Sequence, residues 1–257
     1  MSERAENVSV LVRFAVPLGS PNRANLLQSG ILNDVEWLEN RRMLFETYCR
    51  PSLEWQTSHD WHLYLALDER TNENFVSGLQ DSLKQDTSLV HVKDGESVAE
   101  AFERALPKVS TSCITLRLDS DDILMPTFIS QVKRRASEGR LLNFPNIAMF
   151  DTASHAVVSR FPYYRNPFLS YCGRDNVFAL GEHGRTTQAV VNIWTASPMA
   201  IQLVHGTNVR NSTEGRKRAR QRAAKVVVEA VRSLEGARPR ISSSDNCQGL
   251  GVRKQPR

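Results

Sequence analysis

The sequence predicts an α/β protein with a mainly parallel central sheet, and three observations support this. Apolar, β-branched segments alternate with segments of helical periodicity through residues 8–135. Each interval between strand candidates is long enough for the helical crossover that joins parallel strands. Three carboxylates follow the fourth strand candidate, where parallel sheets collect ligands. We expect one main domain of helices flanking this sheet, with a smaller irregular portion that contains a β-hairpin.

Four strands and three helices are predicted to alternate in the first half of the chain. The strands are expected at residues 8–16, 61–67, 88–93 and 112–118, and the helices at 34–49, 72–83 and 97–106. We expect Pro51 to stop the first helix, because proline lacks the N–H that a helix interior uses. Right-handed crossovers would place the carboxyl ends of all four strands at one edge.

The segment L-D-S-D-D at 118–122 is the strongest chemical signal. Asp119, Asp121 and Asp122 follow an apolar strand, and their charges repel unless a cation or basic groups neutralise them. Mg²⁺ and Mn²⁺ favour one or two carboxylates together with phosphate oxygens, so D-x-D at a strand end is suited to a metal-bound diphosphate. The alternative is an acidic turn in which Asp122 caps the next helix.

Other charged residues are predicted at the same edge. Arg13 lies in the first strand candidate, Arg23 in the P-L-G-S-P-N-R loop after it, and Asp68 at the end of the second. Facing a nucleotide is one interpretation of these positions. The other interpretation is that the arginines are ordinary surface charges and that Asp68 begins a turn.

The second half of the chain alternates less regularly. A helix is predicted from Pro126 to Arg135, then a β-hairpin with Asp151 near its turn. Residues 162–187 lack a period and are rich in aromatic and charged residues, including Asp175 and Glu182, which favours a wall for a hydroxylated acceptor. A last helix is expected over 197–206. Its terminal His205 either complements the helix dipole or serves the metal.

Charge and cysteine content narrow the functional classes. The net charge of +5 comes from residues 211–257, which hold 12 Lys and Arg against 4 Asp and Glu, whereas the remainder carries −3. The body therefore has no basic excess for nucleic acid. The four cysteines lack C-x-x-C spacing, so neither a zinc site nor a disulfide framework is predicted. The acidic, polar start lacks the pattern of a signal peptide, so a cytoplasmic protein is expected.

The basic C-terminal region is predicted to be a separate tail, with residues 1–211 forming the domain and 212–257 a basic helix followed by disorder. A solvated tail is one interpretation. Peripheral contact with the anionic inner face of a membrane is the other.

The quoted residues resemble the bacterial rhamnosyltransferase family, within the GT-A class of nucleotide-sugar glycosyltransferases. The resemblance spans about residues 8–212 and is carried by V-R-F-A-V, R-P-S-L-E-W-Q-T-S-H-D-W-H-L-Y-L-A-L-D, T-L-R-L-D-S-D-D-I-L and W-T-A-S-P-M-A-I-Q-L-V-H-G-T-N-V. It implies a GT-A-like, Rossmann-like sheet. It also implies that Asp119 faces the ribose, that Asp121 binds Mn²⁺ or Mg²⁺, and that His205 joins the same metal.

The resulting hypothesis is a metal-dependent transfer of a sugar, with rhamnose as the sugar that the family name suggests. The donor would be a nucleotide-diphosphate sugar and the acceptor a glycan or a lipid-linked saccharide. The candidate donor contacts are Arg13, Arg23, Asp68, Arg117 and Asp119, and the candidate bases, in falling order, are Glu182, Asp175 and Asp151. Two alternatives are a nucleotidyltransferase, which should have a Gly-rich phosphate loop, and a binding module whose basic tail attaches to nucleic acid or membrane.

Overall fold

The computed structural model describes residues 7–16, 30–107, 113–181, 184–205 and 221–236. The strands are β1 Val8–Ala15, β2 Trp61–Asp68, β3 Thr87–Val92, β4 Cys113–Asp119, β5 Ile123–Leu124, β6 Arg140–Asn143, β7 Ile147–Asp151, β8 Val157–Arg160, β9 Ser170–Gly173, β10 Val190–Asn192 and β11 Ala200–Val204. The helices are α1 Val35–Leu44, α2 Arg50–Glu54, α3 Glu73–Ser82, α4 Val98–Ala105, α5 Phe128–Arg135 and α6 Gln221–Gly236.

The central sheet has seven strands in the order β10-β6-β9-β4-β1-β2-β3, which confirms the predicted mainly parallel α/β class. β3, β2, β1 and β4 are parallel, as expected. β9 lies antiparallel to both β4 and β6, so β6 and its parallel neighbour β10 run in the direction of β4. The carboxyl ends of β1, β2, β3, β4, β6 and β10 therefore share one edge, which we call the carboxyl edge.

The two faces of the central sheet are buried under different helices. Val10 of β1 belongs to a core with α1, α3 and α5, whereas its neighbour Leu11 belongs to a core with Phe102 of α4. This alternation follows from the period of two along a strand. Helix α4 begins at a capping box in which Ser97 and Glu100 satisfy each other's backbone N–H groups.

A second sheet has four strands in the order β5-β11-β7-β8, which alternate along the chain with the later strands of the central sheet. β7 and β8 pair antiparallel and form the predicted hairpin. The prediction of a helix over 197–206 is wrong, because Ala200–Val204 forms strand β11 between β5 and β7. All five of its residues are buried, and A-I-Q-L-V contains a single polar residue, which is too few to show whether the run has the period of a strand or of a helix.

Proline does not stop the first helix as expected. A π-helical turn, Phe45–Cys49, follows α1, and Pro51 lies in the first turn of α2 after it. The N–H that proline lacks is not needed at the start of a helix, which explains why the chain stays helical to Glu54.

Helix α6 packs its apolar side against the second sheet. Val227, Val231 and Leu234 are buried in a core with residues of β7 and β11, and Tyr48 donates a hydrogen bond of 2.9 Å to Glu235. The apolar face of this helix is therefore covered by protein.

The boundary predicted near residue 211 and most of the basic residues lie outside the described residues, so the division of the chain stays a prediction. None of the helices in the described ranges combines the length and the apolarity needed to cross a bilayer.

Candidate functional site

The acidic turn after β4 lies at the carboxyl edge, where the central sheet meets the second sheet. Asp119 is the last residue of β4 and pairs in register with Arg13 of β1. Its Oδ1 lies 4.0 Å from Arg13 Nη2, and 30% of the Asp119 side chain is exposed. This contact is therefore long and partly screened by solvent, so it is a weak ion pair.

Asp121 contacts a histidine at the end of the second sheet. His205 directly follows β11, and its Nε2 lies 2.8 Å from Asp121 Oδ2. Burial would raise the pKa of Asp121, but the hydrogen bond from His205 and the charge of Arg41 hold it below its ordinary value. The carboxylate is thus ionised at neutral pH and can only accept a hydrogen bond, so His205 Nε2 is the donor. The expectation that His205 ends a helix was wrong. The structure brings His205 next to Asp121, and a metal shared by the two stays a prediction.

Asp122 has a different position from its two neighbours. Its side chain is buried, and Oδ1 accepts a hydrogen bond of 3.1 Å from the backbone N–H of Leu203 in β11. Burial and the charges of Asp121 and Asp119 raise its pKa well above the ordinary value. Asp122 does not cap α5, which begins after Thr127. It instead fastens the acidic turn to β11 and so holds His205 beside Asp121.

Arg41 of α1 is a site residue that the sequence analysis missed. Its Nε donates to the carbonyl oxygen of Phe14 and its Nη2 to Ser120 Oγ, both at 2.8 Å. The guanidinium also lies 4.9 Å from the ring centre of Trp37. Burial lowers the pKa of Arg41, and the charges of Asp121 and Asp119 oppose this. We call Arg13, Arg41, Asp119, Asp121 and His205 together the acidic corner.

Asp68 and Arg117 lie on the same face of the sheet as Asp119. Asp68 is buried at the end of β2 and accepts hydrogen bonds of 2.8 and 2.7 Å from Nε and Nη2 of Arg70. Arg117 is buried within β4, and its guanidinium lies 4.8 Å from the ring centre of Phe178. Contact between either residue and a nucleotide stays a prediction.

The candidate bases are spread over different parts of the molecule. Asp151 ends β7 beside Val204, and its Oδ1 accepts hydrogen bonds from the N–H groups of Ala153 and Ser154. Asp175 is exposed after β9, whose last residue pairs with Cys113 at the opposite end of β4 from Asp119. Glu182 and Arg23 lie outside the described residues. Of the described candidates, Asp151 is next to the strand that leads to His205.

The corner fits a divalent cation held by two protein ligands. Within the described ranges, no group of three or more His, Cys, Asp or Glu residues could hold a metal ion. Two ligands at about 2.1 Å from Mg²⁺ or Mn²⁺ in octahedral geometry lie about 3 Å apart. The Asp121 Oδ2 to His205 Nε2 separation of 2.8 Å agrees with this, provided that His205 gives up the proton on Nε2. Phosphate oxygens and water usually complete such a site.

Comparison with known proteins relates the chain to glycosyltransferases. A family model described as "Putative rhamnosyl transferase" matches residues 7–149, which is 143 of the 257 residues. No curated protein matches. Among solved structures, S. aureus TarS 1–349 in complex with UDP-GlcNAc is 12% identical with a TM-score of 0.43, covering 79% of this chain and 60% of that one. GalNAc-T7 with UDP, GalNAc and Mn²⁺ is 9% identical with a TM-score of 0.43, covering 88% and 48%. The chain thus spans less than two thirds of either structure.

Proposed function

Since the chain belongs to the family described as "Putative rhamnosyl transferase", we propose that it transfers a sugar from a nucleotide-diphosphate sugar to a hydroxyl group of an acceptor. Rhamnose is the sugar proposed from the family, and a bacterial glycan or lipid-linked saccharide is the proposed acceptor. A cytoplasmic location, with peripheral membrane contact through the basic tail, belongs to the same proposal. Because the apolar face of α6 is buried, such contact would rest on charged residues rather than on insertion of that face.

The observation that carries this proposal is the pairing of Asp121 with His205 across the two sheets. The pair lies at the carboxyl edge, where α/β sheets bind ligands, and two arginines approach the same turn. The side chains of Asp121 and His205 are 17% and 10% exposed, respectively. They are therefore shielded enough to act strongly on a charged ligand but remain reachable. A diphosphate carries the negative charge that such a mixed cationic and metal-binding corner neutralises.

Asp121 and His205 are the residues that would hold the metal, with Asp119 beside them. A bound Mg²⁺ or Mn²⁺ would supply charge neutralisation for the departing diphosphate. Arg41 would orient the phosphate oxygens, because hydrogen bonds to Phe14 and Ser120 hold its guanidinium group, and Arg13 would add a second positive charge. A shallow cavity of about 390 Å³ beside the loop after β2, lined by Asn33 and residues 69–74, is of suitable size for the rest of the donor.

A carboxylate completes the proposed mechanism by taking the proton of the acceptor hydroxyl while the sugar passes through a cationic, oxocarbenium-like state. Glu182, Asp175 and Asp151 remain the candidates. Asp151 is favoured among the described ones, because it ends a strand directly beside β11. Inversion at the sugar carbon is expected from the resemblance to enzymes with the same D-S-D-D motif.

Replacement of Asp121 tests the proposed function. The wild-type chain should be stabilised thermally by one member of a panel of nucleotide-diphosphate sugars in the presence of Mn²⁺. Asp121→Asn should lose the metal-dependent part of this shift and lower turnover by about 100-fold or more. Asp81→Asn, at an exposed position in α3, is the matched control. Wild-type turnover in Asp121→Asn would rule out this mechanism.

A further inference from the structure

Three exposed aromatic side chains lie together at the carboxyl edge. In the described part of the chain, six large hydrophobic residues are exposed, and of the three aromatic ones Trp194 contacts the other two. Phe161 and Tyr164 lie 5.7 and 6.0 Å from the ring centre of Trp194, at 79° and 82° to its plane. Each of the three is more than half exposed. We call Phe161, Tyr164 and Trp194 the aromatic platform.

The platform is on the same edge as the acidic corner. Trp194 follows the carboxyl end of β10, and Tyr163, next to Tyr164, donates its N–H to the carbonyl oxygen of Pro145 just after β6. β10 is three strands from β4 in the sheet order, which corresponds to about 14 Å. A ligand that extends along this edge can therefore reach both regions.

Buried asparagines fix the two loops that carry the platform. Asn143 Nδ2 donates to the carbonyl oxygen of Tyr163 at 3.1 Å and to Asn192 Oδ1 at 2.8 Å. Its Oδ1 accepts from the N–H of Asn166, whose Nδ2 in turn donates to the carbonyl oxygen of Phe144. Both asparagines are fully buried. The loops are thus held before any ligand arrives, which lowers the entropy cost of binding.

We propose that the aromatic platform is the subsite that binds a pyranose ring of the saccharide acceptor. A pyranose presents C–H groups on its faces and hydroxyl groups around its rim. The C–H groups pack on the negative face of an aromatic ring, while neighbouring polar groups can meet the hydroxyls. This assignment rests on the proposed function, and it adds the chemical class of acceptor and the place where it binds.

The size and setting of the platform favour a saccharide over a second copy of the chain. Half-exposed aromatic side chains offer roughly 100 Å² each, so the three together offer roughly 300 Å². A stable protein interface takes about 800 Å² from each partner. The surroundings are polar as well, since Arg165 is exposed beside Tyr164 and Arg160 lies 3.8 Å from the ring centre of Tyr163.

The test uses the full-length chain without donor on an array of neutral pyranose oligosaccharides. The wild type should bind at least one of them, Trp194→Ala should bind it about tenfold more weakly, and Trp194→Phe should recover part of the affinity. Met43→Ala, which removes an exposed apolar side chain of α1, should bind as the wild type does. In turnover assays, Trp194→Ala should raise the KM for the acceptor while donor hydrolysis without acceptor stays unchanged.

Donor binding separates this proposal from the proposed function. Stabilisation by nucleotide-diphosphate sugar and Mn²⁺ should be equal in the wild type and Trp194→Ala. If neither variant is stabilised but the oligosaccharide still distinguishes them, the transferase function fails and the saccharide subsite stands. The subsite is refuted if no oligosaccharide binds the wild type, or if Trp194→Ala binds as tightly. It is also refuted if sedimentation shows a wild-type dimer that Trp194→Ala dissociates in the absence of saccharide binding.

Discussion

The acidic corner and the aromatic platform lie on one edge of the same sheet, but they are built in different ways. The corner contains partly shielded charges whose contacts are made by side chains, such as the 2.8 Å pair of Asp121 and His205. The platform contains exposed rings that contact each other only edge to face, on loops fixed from beneath by Asn143 and Asn166. Charge is therefore concentrated where the donor is proposed to react, and exposed aromatic surface where the acceptor is proposed to bind.

The difference shows how the molecule can separate two tasks. Charged groups act most strongly where water is partly excluded, and the corner is partly shielded where the two sheets meet. A neutral saccharide is held by shape and weak contacts that need an open surface. Changes at the corner should consequently affect the chemical step, and changes at the platform should affect acceptor affinity.

The largest effect is expected from replacing Asp121 and His205, and a double-mutant cycle tests whether the two residues act together. Asp121→Asn and His205→Asn should each lower turnover by about 100-fold or more, because either loss leaves one proposed ligand for the metal. If the two act as one unit, the double variant should be hardly worse than either single one. Turnover at saturating Mn²⁺ measures this. Fully additive losses would show that the pair does not act together.

Arg41 should have the next largest effect. Arg41→Ala removes a cation from the corner and should lower kcat/KM for the donor by about 10- to 100-fold, since hydrogen bonds to charged groups are worth about 1.5–3 kcal/mol. Arg42→Ala is a closely matched control, because Arg42 pairs with Glu39 on the surface of the same helix. Steady-state kinetics with varied donor would compare them. Equal kcat/KM values for the two variants would show that Arg41 does not act on the donor.

The sequence predicted the acidic corner in part because its two acids are only two residues apart. L-D-S-D-D is a local signal at the end of an apolar strand, and its position at the carboxyl edge follows from parallel topology. Arg41 has no such signal. It lies in E-N-R-R, a segment typical of a solvated helix face, and only tertiary packing brings it to Ser120.

The second sheet marks where sequence reasoning failed. The five residues of β11 include one polar residue, Gln202, so neither a helical nor a strand period could appear, and a helix was predicted. The resemblance nevertheless implied that His205 and Asp121 share one site, because that inference used a motif rather than secondary structure. The platform was harder still to predict. β6 and β10 have only four and three residues, and their partners lie far away in the chain.

The smallest expected effect concerns the asparagine beneath the platform. Asn143→Ala would leave the buried N–H of Asn166 and the carbonyl oxygen of Tyr163 without the partner that Asn143 provides. One such loss costs about 1–3 kcal/mol of unfolding free energy, which urea denaturation can measure. Asn74→Ala, at an exposed position in α3, should change stability by less than about 0.5 kcal/mol.

The same variant connects stability to acceptor binding. Asn143 holds both loops of the platform through Tyr163 and Asn192, so Asn143→Ala should raise the acceptor KM severalfold while leaving donor hydrolysis intact. Such a split would show that the rings must be fixed in place before the saccharide binds. If Asn143→Ala is destabilised but its acceptor KM is unchanged, the asparagine supports the fold alone and the platform does not depend on it.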